Sequence, residues 1–356
     1  MPLDGLMPLI TATDRVGDVG RSAYLCDLCC GSAMKLQKRE ADVTRNIQSA
    51  VVHSHSSHVN KEREEDGAYS PRDHGHKPET DQHNNEFDHE SILGSAKEAE
   101  EYDHLPPDEA KRRLRILLKK MDLNGDEQID KHELKAWILR SFKMLSKEEA
   151  DEHLEDADDD GDGKVSWAEY LQDTYGSDSN EDSLMLDSDN QVLIRDDKTM
   201  WKVADFNGDG VLEGDEWVAF SHPEEHPDML PHILEQTLRD KDTNKDGSID
   251  FQEFIGDRGQ NHDKEWVTAE KDKFDQELDK DGDGKLMGSE ILSWVVPSNE
   301  EIANEEVEHL FGVSDEDNNG VLSFDEVVEH HDIFVGSEAT DYGDHLHNIH
   351  HFDDEL

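Results

Sequence analysis

Six twelve-residue segments of one design recur along the 356-residue chain and constrain its fold more than any other feature. Their first residues are Asp122, Asp158, Asp205, Asp242, Asp279 and Asp315, so successive segments start 36, 47, 37, 37 and 36 residues apart. Each segment ends with Glu, and its eighth residue is apolar: Ile129, Val165, Leu212, Ile249, Leu286 or Leu322. Repetition at such a period is typical of one supersecondary unit used several times. Solvated acidic turns have no reason to share an apolar eighth residue, so we interpret the segments as six copies of one unit.

The second segment, DDDGDGKVSWAE (158–169), has the pattern of an EF-hand calcium loop. Calcium is a hard cation that takes roughly six to eight oxygen ligands, which carboxylates and backbone carbonyls supply at alternate positions. The candidate ligands are Asp158, Asp160, Asp162, the backbone carbonyl of Lys164, and Glu169. Gly163 at the sixth position allows the sharp turn of the loop.

The other five segments offer candidate ligands at the same positions, and the seventh residue of each again contributes its backbone carbonyl. In loop 1 (122–133) these are Asp122, Asn124, Asp126, Gln128, Asp130 and Glu133. In loop 3 (205–216) they are Asp205, Asn207, Asp209, Val211, Glu213 and Glu216. In loop 4 (242–253) they are Asp242, Asn244, Asp246, Ser248, Asp250 and Glu253. In loop 5 (279–290) they are Asp279, Asp281, Asp283, Lys285 and Glu290, and in loop 6 (315–326) Asp315, Asp317, Asn319, Val321 and Glu326. The sequence predicts up to six bound Ca²⁺ ions.

Two loops depart from the pattern. Loop 1 has Glu127 in place of the turn glycine, and a non-glycine residue in left-handed conformation costs about 1 kcal/mol or more. Loop 5 has Met287 at the ninth position, where a water molecule is expected to replace the ligand. We therefore expect loop 1 to bind calcium most weakly.

The segments between the loops predict an all-α fold. Before loop 1, PDEAKRRLRILLKKM places apolar residues on one helical stripe and begins with Pro107 and two acids. Six loops group most simply as three consecutive pairs, because the single long gap contains a polar stretch. We predict a disordered segment over 1–85, EF-hand pairs over 86–176, 195–260 and 261–340, a linker over 177–194 and a tail over 341–356.

Composition limits the partners. The chain has 89 acidic and 35 basic residues, a formal net charge of −54, and only 33% hydrophobic residues. Nucleic acids and anionic membrane surfaces would be repelled by this charge. No stretch reaches the roughly 18 apolar residues of a membrane span. The acidic loops repel one another until cations neutralise them, so we expect folding and calcium binding to be linked.

The cysteines and histidines give only weak indications of function. The cysteines, Cys26, Cys29 and Cys30, are too few for a four-ligand zinc site and odd in number, and we interpret them as incidental. Histidines near the end are interpreted as a solvated tail, with zinc capture and acid-dependent receptor docking as open alternatives: His345, His347, His350 and His351. No nucleotide, hydrolase or metalloprotease motif is present, so no catalytic site is predicted.

Several sequence segments that extend beyond the calcium ligands resemble the reticulocalbin and calumenin (CREC) family: FDHESILG, VSWAEYLQDTYG, FSHPEEH, IDFQEFIGD and HHDIFVGSEATDYG. The resemblance covers roughly residues 86 to 356. It implies six EF-hands, low-affinity calcium binding, residence in the secretory pathway, and a part in luminal calcium handling and in the folding or regulation of client proteins.

The two termini carry different expectations. Asp354, Glu355 and Leu356 resemble a receptor-read retrieval address of the endoplasmic reticulum, although Asp353 replaces the Lys or His of the best-known forms. Residues 1–30 have no charged region followed by an unbroken apolar region, so no signal peptide is evident. We expect residues 1 to about 50 not to be the natural beginning of the protein.

The leading hypothesis is a non-enzymatic calcium-binding protein of the endoplasmic reticulum lumen that buffers calcium and contacts client proteins and a retrieval receptor. Alternatives are a cytosolic calcium sensor and a dedicated chaperone or enzyme regulator whose calcium is only structural. The sensor is disfavoured because few of the nine methionines lie on EF-hand helices, whereas sensor grooves tend to be rich in methionine.

Calcium is expected to fold the chain. Far-UV circular dichroism should show little helix in chelator and a strong gain of helical signal in millimolar calcium, because unneutralised loops repel each other. The same helical spectrum in both conditions would contradict this linkage.

Overall fold

The computed structural model describes residues 63–73, 85–176 and 188–337, and most of these residues lie in helices. Within these ranges the helices are α1 (Glu86–Leu93), α2 (Ala96–Asp103), α3 (Pro107–Met121), α4 (Lys131–Ala157), α5 (Trp167–Tyr175), α6 (Ser188–Ala204), α7 (Asp215–Ser221), α8 (Leu230–Lys241), α9 (Phe251–Ile255), α10 (Arg258–Asn261), α11 (Lys264–Lys273), α12 (Ser289–Val295), α13 (Asn299–Ser314), α14 (Phe324–Glu329) and α15 (His331–Phe334). A 3-10 turn, Pro223–Glu225, follows α7, and a π-helical turn, Phe274–Leu278, continues α11.

Each calcium-type loop contains a two-residue strand. These are β1 (Gln128–Ile129), β2 (Val165–Ser166), β3 (Val211–Leu212), β4 (Ile249–Asp250), β5 (Lys285–Leu286) and β6 (Leu322–Ser323). The strands form three antiparallel pairs, β1 with β6, β2 with β3 and β4 with β5. The prediction of an all-α fold with six EF-hands in three pairs is confirmed.

The loops do not pair as predicted, first with second, third with fourth and fifth with sixth. Loop 1 pairs with loop 6, loop 2 with loop 3, and loop 4 with loop 5. The cause lies in α4, which runs for 27 residues without interruption and connects loop 1 directly to loop 2. At 1.5 Å per residue, this helix holds the two loops about 40 Å apart. The segment contains no glycine or proline that would break the helix.

Three hydrophobic cores follow the three loop pairs. The first core joins α1–α4 to α13–α15 and includes Ile129 and Leu322. The second includes Val165 and Leu212, and the third Ile249 and Leu286. The apolar residue at the eighth position of every loop is at most 1% exposed. Together with the strand register, this burial shows that these positions pack where two loops meet.

The described part of the N-terminal segment is ordered. Tyr69 is 4% exposed, and its backbone N–H donates to the Val295 carbonyl at 2.9 Å. The indole N–H of Trp294 donates to Asp66 Oδ2 at 3.0 Å. The prediction of disorder over 1–85 is therefore wrong for residues 63–73. Hydrophobic periodicity has no means of detecting an irregular segment that is held by a buried aromatic ring and one charged hydrogen bond.

Arg72 ties this segment to the helices. Its guanidinium donates to Ser146 on α4 and to Glu225 at 2.6 Å. Asn299 at the start of α13 also donates to Glu225, at 3.0 Å. A carboxylate that accepts from several charged or polar donors is well satisfied in a partly buried site. The cluster connects residues from four distant parts of the sequence.

Part of the predicted linker is helical. Residues 188–194 belong to α6, which extends to the edge of loop 3. Residues 177–187 lie outside the described part of the chain, as do 1–62, 74–84 and 338–356. The cysteines, the histidines at 345–351 and the retrieval-like terminus fall in these ranges and stay predictions.

A buried acidic cluster joins α1 to α13. Asp88 and Glu306 are 0% and 3% exposed. Ser91 Oγ lies 3.4 Å from Glu306 Oε1, and His309 Nε2 lies 3.6 Å from Asp88 Oδ2. Burial, together with the neighbouring Asp88 carboxylate, raises the pKa of Glu306 from 4.5 to about 8. Glu306 is therefore protonated near neutral pH in the folded protein.

Replacing Glu306 with Gln should flatten the pH dependence of stability. The folded state keeps the Glu306 proton up to about pH 8, whereas the unfolded state loses it near pH 4.5. The free energy of unfolding therefore falls as pH rises through this window, by up to about 1.4 kcal/mol per pH unit. Urea unfolding in saturating calcium between about pH 5 and 8 measures the slope.

The matched control is Glu308→Gln, on the same helix, because the Glu308 side chain is 66% exposed. This variant should keep the wild-type slope. A Glu306→Gln variant with the wild-type slope would show that the buried carboxyl does not govern it.

Candidate calcium sites

Each loop winds around its first aspartate. In loop 2, the backbone N–H of Gly161 donates to Asp158 Oδ1 at 2.8 Å and that of Gly163 to Asp158 Oδ2 at 2.7 Å. A hydrogen bond from the sixth residue to the first aspartate is present in all six loops, with distances of 2.7 to 3.0 Å. These bonds shape the backbone around a space that faces the ligand carboxylates.

The sixth position is left-handed in every loop. Glu127 in loop 1 has φ +65°, close to the +82° to +87° of the glycines in the other five loops. The structure thus places Glu127 in the strained conformation that its position predicted.

A second left-handed position was missed. The fourth residue of loops 1, 2, 3 and 5 is a glycine with φ of +74° to +79°. Lys245 in loop 4 and Asn318 in loop 6 take its place, with φ +62° and +57°. Asparagine tolerates this region better than lysine does. The repeated glycine at the fourth position was the available signal.

The glutamate at the twelfth position closes each loop. In loop 1, Glu133 is 4% exposed. Its Oε1 accepts from the Leu123 N–H at 2.9 Å and its Oε2 from the Asp130 N–H at 3.1 Å. In loops 4 and 5, Glu253 and Glu290 likewise accept from the backbone N–H groups of the second and ninth loop residues. The carboxylate is therefore held facing the loop interior.

Three loops bring three carboxylates together. In loop 2 these are Asp158, Asp160 and Glu169, with ligand oxygens within 4.8 Å of one another. Loop 5 gathers Asp279, Asp281 and Glu290 in this way, and loop 6 Asp315, Asp317 and Glu326. Loops 1, 3 and 4 carry asparagine at the third position, so an amide oxygen replaces one carboxylate there.

Crowding of these carboxylates has an electrostatic consequence. Repulsion from Asp162 raises the pKa of the Asp160 carboxyl above its usual range. The backbone N–H of Gly163 holds the pKa of Asp158 below its usual range. Asp160 is exposed and Asp158 is partly buried, and like charges this close favour a bound cation. An all-oxygen donor set fits Ca²⁺ rather than a metal that prefers nitrogen or sulfur ligands.

The ninth residue has a structural task as well. Asp130 Oδ1 accepts from the Glu133 N–H at 2.8 Å and Asp250 Oδ1 from the Glu253 N–H at 3.0 Å, so each carboxylate caps the helix after its loop. Ser166 and Ser323 form the same capping box. The spacing of Asp or Ser and Glu three residues later could have predicted these caps. Ligation by Asp130, Asp250 and Glu213 stays a prediction.

Replacing Glu127 with Gly should tighten calcium binding at loop 1 by about fivefold, because relieving left-handed strain recovers about 1 kcal/mol. Glu127→Ala is the matched control, since it removes the same charge but keeps the strained Cβ. The amide NMR signal of residue 127, which donates to Asp122, reports occupancy of this loop alone. Equal affinities for the two variants would exclude strain as the cause of weak binding.

None of the helices that the structure describes combines the length and apolar character needed to span a bilayer.

The chain matches the family model of an EF-hand domain pair over residues 111–175, 194–256 and 271–330. Each match contains two loops that follow one another in sequence but do not face each other in the structure. This agrees with the loop pattern and indicates that the chain binds Ca²⁺.

Among characterised proteins, Reticulocalbin-2 of Crotalus adamanteus is 38% identical over 284 residues, which span 77% of this chain and 93% of that protein. Reticulocalbin-2 of Mus musculus is 38% identical over 285 residues, 77% of this chain and 89% of that protein. Reticulocalbin-2 of Rattus norvegicus matches to the same extent. These similarities, together with six calcium loops, show that the chain belongs to the reticulocalbin family of EF-hand calcium-binding proteins.

Proposed function

We propose that this protein is a low-affinity calcium-binding protein of the endoplasmic reticulum lumen, which buffers calcium and presents calcium-dependent surfaces to client proteins. The observation that carries the proposal is the presence of six oxygen-donor loops in a chain with a net charge of −54. Such a chain can take up several calcium ions and still remain a polyanion.

Low affinity is supported by the exposure of the loops. Asp160, Asp209 and Asp317, like most residues in the first half of each loop, are exposed to solvent. Exposed carboxylates stay hydrated and are screened by salt, so they gain less from a bound cation than buried carboxylates do. Strain at Glu127 weakens loop 1 further.

Luminal residence is supported by membership of the reticulocalbin family and by Asp354, Glu355 and Leu356. We propose that a retrieval receptor recognises these three residues. Client proteins are proposed as the partners of the calcium-loaded helices. No catalytic role is proposed.

A calcium titration by isothermal calorimetry tests the binding mode. Several ions per chain should bind with dissociation constants of about 10⁻⁴ to 10⁻³ M, the range of extracellular calcium modules. Sites that fill at about 10⁻⁶ M or below would contradict a luminal buffer and favour a sensor.

Retrieval is tested in cells that express the chain behind a cleavable signal peptide. A variant with Asp354, Glu355 and Leu356 changed to Ala should appear in the medium, whereas the chain with these residues intact stays in the endoplasmic reticulum. Cytosolic residence of the verified native gene product would overturn the luminal proposal. Pull-downs in calcium and in chelator then test whether client binding depends on the ion.

A further inference from the structure

Lys164 crosses from its own loop to the facing one. It is the seventh residue of loop 2, and its Nζ lies 3.1 Å from Glu213 Oε2 and 3.9 Å from Asp209 Oδ2 of loop 3. Both partners are candidate calcium ligands of loop 3. The ammonium group of one loop therefore contacts the proposed ligand set of another.

Lys285 makes the equivalent contact in the pair formed by loops 4 and 5. It is the seventh residue of loop 5, and its Nζ lies 2.5 Å from Asp246 Oδ2 and 3.1 Å from Ser248 Oγ of loop 4. Asp246 holds the fifth position of loop 4, as Asp209 does in loop 3. A lysine at the seventh position of one loop thus contacts the fifth position of the facing loop in both pairs.

Strand register explains the repetition. The apolar eighth residues lie opposite each other in every pair, as Val165 lies opposite Leu212 and Ile249 opposite Leu286. The seventh residue of one loop then lies opposite the ninth residue of the facing loop. A long side chain at the seventh position reaches the fifth residue of that facing loop. A lysine at the seventh position is consequently directed at the carboxylates of its partner loop.

The pair formed by loops 1 and 6 has no lysine at either seventh position. Gln128 and Val321 occupy the seventh positions of loops 1 and 6, and Gln128 is level with Ser323. Neither side chain carries positive charge. Loops 3 and 4 accept a lysine from the facing loop but provide none in return, because their own seventh residues are Val211 and Ser248.

We propose that Lys164 and Lys285 act as built-in competitors of calcium, whose ammonium groups must leave the carboxylates of loops 3 and 4 before the ion binds there. This inference rests on the proposal that these two loops bind calcium. A singly charged ammonium beside a doubly charged ion is repelled, so keeping it in place would cost free energy. The lysine stem is flexible and can turn outward into solvent.

The competition has two opposite effects. Without calcium, each ammonium offsets carboxylate repulsion and stabilises the facing loop. With calcium, the same group lowers the affinity of that loop. Each lysine also offers its backbone carbonyl to its own loop, so one residue contacts both sites of a pair. Loops 3 and 4 are therefore tuned to release calcium more readily than they would without the lysines.

Lys285→Met in the full-length chain tests the inference. The amide NMR signal of Gly247, which donates to Asp242 Oδ2 at 2.8 Å, reports occupancy of loop 4, and that of Gly284, which donates to Asp279 Oδ2 at 2.7 Å, reports loop 5. Calcium titration should shift the midpoint for Gly247 about tenfold toward tighter binding. The midpoint for Gly284 should move by less than about threefold.

Two matched variants control for charge and for folding. Lys280→Met removes one exposed positive charge from the second position of loop 5 and should leave the Gly247 midpoint within about threefold of wild type. Lys285→Arg keeps the cation and should also retain weak binding. In chelator, the residual helical signal of Lys285→Met should be lower than that of Lys280→Met. If the lysine had a merely structural role, its replacement would lower both the stability of the protein and its affinity for calcium.

The outcomes distinguish failure of the lysine competition from failure of the proposed calcium binding at loop 4. An unchanged Gly247 midpoint in Lys285→Met, or an equal shift in Lys280→Met, overturns the competition. A Gly247 signal that ignores calcium in every variant means that loop 4 does not bind the ion, which also removes loop 4 from the proposed calcium store. Lys164→Met, followed at Gly210, repeats the test for loop 3.

Discussion

The uninterrupted helix α4 governs how the six loops are matched. It leaves loop 1 and enters loop 2 without a break, so these loops lie at opposite ends of a rigid element. Its first half contributes Leu134, Ile138 and Phe142 to the first core, and its second half contributes Ala150 and Ala157 to the second. Loop 1 must then find its partner elsewhere, and loop 6 closes the arrangement from the far end of the sequence.

Calcium loops and hydrophobic cores share the same six short strands. The eighth residue of each loop lies between ligand positions and is buried against its counterpart in the facing loop. Carboxylate repulsion in the loop and apolar packing beneath it therefore act on one short strand. A cation that relieves the repulsion also stabilises the core, which is the physical basis for linking ion binding to folding.

Much of the site could be predicted from the sequence, because ligand positions within a twelve-residue loop are local. The first aspartate and twelfth glutamate lie where their spacing placed them, and Glu127 adopts the predicted left-handed conformation. The left-handed Lys245 was missed, although glycines at the same position of other loops pointed to it. The capping role of Asp130 was also missed, since one residue type suits both a ligand and a helix cap.

By itself, the sequence determined the number of loops, the helical class, the ion and the apolar positions that meet between loops, because each depends on spacing over a few residues. Only the tertiary structure decided which loops pair, how residues 63–73 anchor on Trp294, and where the Lys164 and Lys285 ammonium groups lie. These features join residues far apart in the chain, and loop spacings of 36 and 37 residues fit either pairing. The continuity of one long helix, rather than any local pattern, excludes the pairing of consecutive loops 1 and 2.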